Sequence, residues 1–292
     1  MVAWQLALNG LVAGAVIALV AVGVGLTYVT ARFLNFAHAV VFTSCPYFVL
    51  LLAGTGLPLE AVMPTAVLLS TMLGCAMELA VYQPLRRQGS SAMVLMLASL
   101  GIYIVLQNVI SLIFGDDTKT LRTGEVQEGL LVLGARITPV QIATICVSAV
   151  LVIWVALMLR YTKLGKAMRA VAADPELAWM TGIDRDWVIL WAFAIGSMLS
   201  GVAGILVMLD VDMTPTMGMN VLMMAVVAVI VGGVGSIPGI VMGALLIGFA
   251  QNFGAWWLSS QWQEAIVFAI LLIVLLFLPQ GFLGKKIKKA VV

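Results

Sequence analysis

The 292 residues predict an all-α integral membrane protein, a polytopic helical bundle of about nine transmembrane helices with a tolerance of eight to ten. Three observations predict it. The chain is 63% hydrophobic and 10% charged, with a mean hydropathy of +1.15. Soluble domains run roughly 45–50% apolar and about 25% charged, so a soluble fold of this length could not hide so much apolar surface under a polar skin. Residues 1–31, 33–59, 88–115, 137–159, 187–209 and 213–263 contain no Asp, Glu, Lys or Arg, and roughly 20 residues of helix cross a bilayer. These runs lack a period of two, which argues against a membrane β-barrel. Helices are expected instead, because they satisfy their own backbone groups in lipid.

Taken in order, the first span is 6–30. It has no basic residues before it and is too long for a signal-peptide core, so it is read as retained in the mature chain. The second, 36–53, follows Arg32, and the third, 60–82, ends just before Arg86 and Arg87. The fourth is 91–114, the fifth 138–159 and the sixth 188–209. The seventh and eighth, 219–235 and 239–258, share one uncharged block; GGVGSIPG at 232–239 is the strong helix breaker between them. The ninth is 264–280, and residues 1–292 form a single transmembrane domain.

The excess of basic residues on cytoplasmic segments tests this layout. With the C-terminus in the cytoplasm and the N-terminus outside, the cytoplasmic segments hold Arg32, Arg86, Arg87, Arg160, Lys163, Lys166, Arg169, Arg185, Lys285, Lys286, Lys288 and Lys289. The external segments hold Lys119, Arg122 and Arg136, a division of 12 to 3. Glu60, Asp116, Asp117, Glu125, Glu128, Asp210, Asp212 and Glu264 lie at or beyond external ends. Glu78 is the one carboxylate inside a span, near its cytoplasmic end, placed to snorkel or to pair with Arg86 or Arg87, with a role in transport as the alternative. A charge at midspan would cost about 2.5–3.5 kcal/mol on insertion scales, and none is there, so no proton or sodium relay is expected. Cys45, Cys75 and Cys146 sit singly in apolar segments, without metal or disulfide spacing.

Nine of the 28 charged residues fall between Arg160 and Trp187, a cytoplasmic loop in this topology. Leu164, Ala167, Met168 and Val171 recur at helical spacing beside Lys166 and Arg169. Asp174-Pro175-Glu176 then ends one helix and starts another: Asp is a favoured N-cap, Pro suits the first helical position, and Glu complements the helix dipole. Pro also moves Asp174 out of the helical region. The second helix runs over about 175–181 and is capped by Gly182 in the left-handed conformation. From physics alone the loop is either a solvated, self-packed linker or a docking knob for a soluble partner.

The stretch KLGKAMRAVAADPELAWMTGID resembles the cytoplasmic loop of permease subunits from ABC importers of the branched-chain amino acid type. GLTYVTARFLNFAH (25–38), LASLGIYIVLQNVISLIFG (97–115), TPTMG (214–218), VVAVIVGGVGSIPGIVMGALLIG (226–248) and LPQGFLG (278–284) extend the resemblance over nearly the whole chain. It implies that the loop's short helix sits in a groove of a separate ATPase, with Gly165, Arg169, Asp174, Pro175, Ala178, Gly182 and Ile183 as the coupling element. It further implies a second permease subunit, two ATPase subunits that bind ATP and Mg, a periplasmic solute-binding protein and a place in the bacterial cytoplasmic membrane. This chain is then not an enzyme and binds no cofactor or metal itself. Its sequence has no GxxxxGK[ST], and no nucleic-acid partner is expected.

His38, the chain's one histidine, stands near a helix end, where a lone histidine is read as a hydrogen-bonded structural residue; the resemblance alternatively makes Asn35 and His38 motif positions on a substrate path. The family usually continues that turn with a small residue and a carboxylate, whereas Ala39, Val40 and Val41 follow here. Gln107 and Asn108 lie deep in the fourth span; amides in lipid need partners, so they serve as interhelical glue or face a watery path. Asn220, Gln251 and Asn252 carry the same two readings. Gly235, Gly239 and Gly243 recur every four residues, as do Gly196, Ser200 and Gly204, spacing that lets helix backbones approach. The alternative for Gly232, Gly233, Gly235, Pro238 and Gly239 is an unwound hinge beside the path. A largely apolar lining suits a hydrophobic amino acid, with urea or a short amide as the other cargo class. An ion-coupled secondary transporter or a passive channel remains the rival of a different kind.

Overall fold

A computed structural model describes residues 2–120, 129–132 and 135–284. Arg122, Glu125, Glu128, Lys285, Lys286, Lys288 and Lys289, which the charge reading used, lie outside the described residues. The helices are α1 (Val2–Ala31), α2 (His38–Ala53), α3 (Leu59–Met77), α4 (Gln83–Arg87), α5 (Ala92–Phe114) and α6 (Pro139–Tyr161). After them come α7 (Lys163–Ala173), α8 (Pro175–Met180), α9 (Arg185–Asp210), α10 (Met217–Gly232), α11 (Ile237–Leu258) and α12 (Gln263–Phe277). A π-helical turn, Glu78–Tyr82, joins α3 to α4 in one continuous rod. Among the described residues six helices are long and apolar enough to cross a membrane, and α2, α10 and α12 are shorter apolar helices. Each predicted span coincides with one of these to within a few residues.

One element was not foreseen. Strands β1 (Leu130–Val132) and β2 (Ala135–Ile137) form a small antiparallel hairpin between α5 and α6, with Leu130 opposite Ile137. The Gln5 side chain completes its edge: Nε2 donates to the Arg136 carbonyl at 2.9 Å, and the Arg136 N–H donates to Gln5 Oε1 at 2.8 Å. A three-residue strand leaves too little pattern for a period of two to be read. At the same end, Lys119 and Met213 exchange backbone hydrogen bonds of 3.0 Å.

The core is built around α1, which packs on α11, α9, α10 and α6. A Cβ on Gly248 of α11 would overlap the Gly10 carbonyl and the Gly14 backbone of α1, so these two helices meet backbone to backbone. α9 lies against α2 in the same way, with Gly204 set on the Phe42 carbonyl. Without a hydrophobic drive between helices in lipid, such close fit supplies the van der Waals contact that associates them.

The glycine block both packs and turns. Gly232 and Gly239 face one another so closely that a Cβ on either would overlap the other's carbonyl, and Gly243 sits against Ala228 and Gly232. Gly196, Ser200 and Gly204 are buried on α9 as expected. Gly235 departs from the expected four-residue packing row. It has φ +86 and only Val29 near it, so its role is the turn between α10 and α11. Gly233 also has positive φ (+100), Ser236 caps α11 by accepting from the Gly239 N–H at 3.3 Å, and Pro238 occupies the first turn. The C-terminal PQG segment explains why the block must be small. The Phe282 N–H donates to the Val231 carbonyl at 2.9 Å and the Leu283 N–H to the Gly232 carbonyl at 3.0 Å, which brings Gly281 and Gly284 onto Gly233.

Candidate functional site

The charged loop folds as two short helices with a cap at every end. Thr162 starts α7 by accepting from the Gly165 N–H at 3.0 Å. Asp174 has extended backbone (φ −150, ψ 107), which ends α7, and its Oδ1 accepts from the Glu176 and Leu177 N–H groups at 2.9 and 3.1 Å, which starts α8. Gly182 (φ +83) closes α8: the Ile183 N–H donates to the Ala178 carbonyl at 3.0 Å and the Gly182 N–H to the Trp179 carbonyl at 2.9 Å, the paired bonds of a Schellman cap. Asp184 then starts α9 by accepting from the Asp186 and Trp187 N–H groups at 2.9 and 3.3 Å. Every boundary expected here from Asp174, Pro175 and Gly182 falls where the sequence placed it.

The apolar stripe of α7 has a different destination from a docking face. Met168 and Val171 are buried in the main core, with Leu164 and Ala167 packed against it, so the stripe fastens α7 to the bundle. Gly165 is part of that fastening: a Cβ there would overlap the Leu159 Cα and the Met158 carbonyl of α6. Arg32, at the end of α1, donates from Nη2 to the Ala172 and Ala173 carbonyls at 3.3 Å, satisfying the last turn of α7 where its dipole favours a cation.

What projects is α8. Ala178 is buried and Ile183 packs partly onto the core, whereas Leu177, Trp179 and Met180 are 63%, 72% and 76% exposed. Three large apolar side chains stand on a six-residue helix held rigidly from below. The sequence reading missed them because it searched for a stripe. A six-residue helix buries one face and leaves the rest outward, and that was the signal available. Arg169, Asp174 and Gly182 are exposed around them.

An ion network that runs from the buried Glu78 to the exposed Arg87 braces this platform. Glu78, fully buried in the π-helical turn, pairs with Arg86, as one of its expected alternatives had it. Arg86 Nη2 also donates to Asp186 Oδ1 at 3.0 Å, and Arg87 Nε donates to Asp186 Oδ2 at 3.0 Å. The start of α9, directly after α8, is thereby tied to the end of the α3–α4 rod.

The expected path residues are scattered. Asn35 is buried, its Oδ1 accepting from the Ala37 N–H at 3.1 Å and from Tyr82 Oη at 3.0 Å, bonds that tie the α1–α2 link to the π-helical turn. His38 is buried where α1 crosses α9; a Cβ on Gly23 would come within 3.1 Å of its Nε2 and one on Gly196 within 3.3 Å of its Cε1. Neither residue lines a described cavity, because the turn they belong to is filled by neighbouring helices. Gln107 donates to Ser111 Oγ at 3.2 Å and Asn108 to the Ile104 carbonyl at 2.7 Å. Both bonds stay within α5, so within this chain they glue no helices together, and Asn108 is exposed. Asn220, Gln251 and Asn252, by contrast, share one cavity of about 530 Å³ at the end of the bundle opposite α8.

The family model described as branched-chain amino acid transport system / permease component matches residues 6–276. The chain is similar at 31% identity to the high-affinity branched-chain amino acid transport system permease protein LivH of Escherichia coli (strain K12), over 95% of this chain and 94% of that protein. It is similar at 32% identity to the corresponding protein BraD of Pseudomonas aeruginosa, over 96% and 95%. Among solved structures, a chain of PsaBC from Streptococcus pneumoniae in complex with Fab superposes with a TM-score of 0.51 at 14% identity, covering 93% of this chain and 91% of that one. That last likeness is one of fold alone.

Proposed function

The chain belongs to the permease family of branched-chain amino acid transport systems, and from that premise we propose that it forms half of the membrane path of an ATP-driven importer for aliphatic amino acids. It is a multi-pass membrane permease, and its sequence carries no ATPase motif of its own. In this reading nine helices cross the bacterial cytoplasmic membrane with the N-terminus outside and α8 in the cytoplasm. The 12 to 3 division of basic residues supports that orientation. A related permease completes the path, two ATPase subunits that bind ATP and Mg dock below, and a periplasmic solute-binding protein delivers the cargo. Alternating access follows from movement of the ATPases.

The observation that carries the coupling role is the apolar tip of α8 on a braced base. Leu177, Trp179 and Met180 are positioned to enter a groove of a soluble protein, and α7 joins them to the core without slack. A push on α8 reaches α9 through Asp184 and Asp186, and reaches α4 through Arg86 and Arg87. Asp174, Pro175 and Gly182 set the shape of the tip, while Gly165, Ala178 and Ile183 anchor it; Arg169 is the charged contact beside it.

The test is co-expression with a second permease, ATPases and a solute-binding protein of the same transport system. Trp179→Arg is expected to abolish uptake and co-purification of the ATPase while membrane insertion remains intact. Normal uptake by that variant would remove α8 from the coupling role. Uptake by the chain reconstituted alone would favour an ion-coupled carrier or a channel.

A further inference from the structure

The open cleft of about 530 Å³ is lined by six helices of this one chain, α1, α6, α9, α10, α11 and α12. Its size lies within the range of about 300–1,000 Å³ usual for small-molecule sites. Its lining is ordered by depth. Val12, Val16, Ile17, Leu206 and Met224, all buried, form the floor. Of six amides in the lining, Asn9, Gln141, Asn220, Gln251 and Asn252 form a belt above it, and Gln263 adjoins Glu264. Asp210 and Glu264, on the terminal turns of α9 and α12, supply carboxylates at the mouth. No Lys, Arg or His belongs to the described lining.

Within the belt, Asn9 Oδ1 accepts from Gln5 Nε2 at 3.1 Å and Gln141 Oε1 from the Thr138 N–H at 3.2 Å, whereas Gln251 Nε2 donates to Met224 Sδ at 3.3 Å and Asn252 Nδ2 to the Gly248 carbonyl at 3.0 Å. Asn9 and Gln141 thus meet these partners through their oxygens, and an amide NH₂ is a donor of two hydrogens. Amides at membrane depth need either partners or water. Their collection from four helices around one space, in a chain otherwise poor in polar residues, is unnecessary for packing. An anionic mouth, a donor belt and an apolar floor match the three parts of an aliphatic α-amino acid in sequence.

We propose that this chamber is a holding site for such an amino acid on the outward side of a single permease subunit. Its ammonium lies at Asp210 and Glu264, its carboxylate takes N–H bonds from Asn9, Gln141 and Asn220, and its side chain covers Val16, Ile17 and Met224. The inference rests on the reading of the chain as an amino acid permease and on its outward orientation.

The experiment uses the assembled transporter in intact cells, with Cys45, Cys75 and Cys146 replaced by Ala and Asn220→Cys as the reporter. Membrane-impermeant methanethiosulfonates of opposite charge are applied from outside. The trimethylammonium reagent is expected to react about tenfold or more faster than the sulfonate, because a one-signed cleft concentrates counter-ions. Millimolar leucine should slow that reaction severalfold. A second variant, Asn9→Leu with Gln141→Leu, should raise the KM for leucine about tenfold, the equivalent of a lost hydrogen bond or two, with kcat and ATPase co-purification little changed. Equal reagent rates, or leucine uptake without leucine protection and with unchanged KM, would overturn the holding site and leave the permease reading standing. Absence of leucine uptake by the unaltered transporter would overturn both.

Discussion

Helices α1 and α5 are equally apolar and end in opposite surroundings. The most apolar windows of the two have mean hydropathies of 2.3 and 2.1, yet 83% of the first is buried within the chain and 17% of the second. What separates them is side-chain size. α1 presents Gly10, Gly14 and Gly23 where other backbones touch it. α5 turns Met93, Val105, Leu112 and Ile113 outward, and nothing lies against its Gly101. Lipid tails are as apolar as leucine, so burial brings no transfer gain, and helices that can approach closely take the centre. Hydropathy thus marks which segments cross, whereas small residues mark which ones the others surround.

The largest expected effect tests how far interior and perimeter differ. Arg86→Ala strands Glu78 in the interior and should destabilise the chain by about 3–5 kcal/mol, whereas the exposed Arg160→Ala should change stability by less than about 0.5 kcal/mol. Thermal unfolding of both variants in detergent measures this, and equal midpoints would dissolve the contrast. Next, Gly14→Leu must push apart α1 and α11 and should cost about 1–3 kcal/mol or prevent accumulation; Gly101→Leu on α5 should be tolerated by the isolated chain. Loss of both to the same extent would show that α5 is enclosed too.

Smaller again is the cap between α7 and α8. Asp174→Ala should cost about 1 kcal/mol and raise hydrogen exchange over 175–182, while α7, held by Met168 and Val171, keeps its protection. Uniform loss over both helices would mean that the tip and its base form one unit. The smallest effect on folding belongs to Gln107→Leu with Asn108→Leu, because their hydrogen bonds stay inside α5. A change confined to uptake or to assembly with a second permease would mark that face as covered in the complex; no change in either assigns it to lipid.

The loop illustrates what could be read locally and what could not. Thr162, Asp174, Pro175 and Gly182 set helix ends through bonds to residues two to five positions away, so their meaning is written beside them. The stripe of α7 was equally legible as a stripe, but nothing near Met168 and Val171 says that the ends of α1, α6 and α9 cover it. The surroundings of Asn35 and His38 were hidden for the same reason: Tyr82 and Gly196, which lie against them, are far along the chain.

Composition, uncharged run lengths and cap residues were enough to establish a helical membrane protein, its segments and the two capped helices of its charged loop, because each depends on residues close in sequence or on the solvent around them. The central place of α1, the seating of the PQG segment on Gly232 and Gly233, the exposure of Trp179 and the meeting of amides from α1, α6, α10 and α11 around one cavity belong to the assembled bundle. Apolar helices in an apolar solvent differ from one another only in shape, and shape selects its partner when two surfaces are brought together.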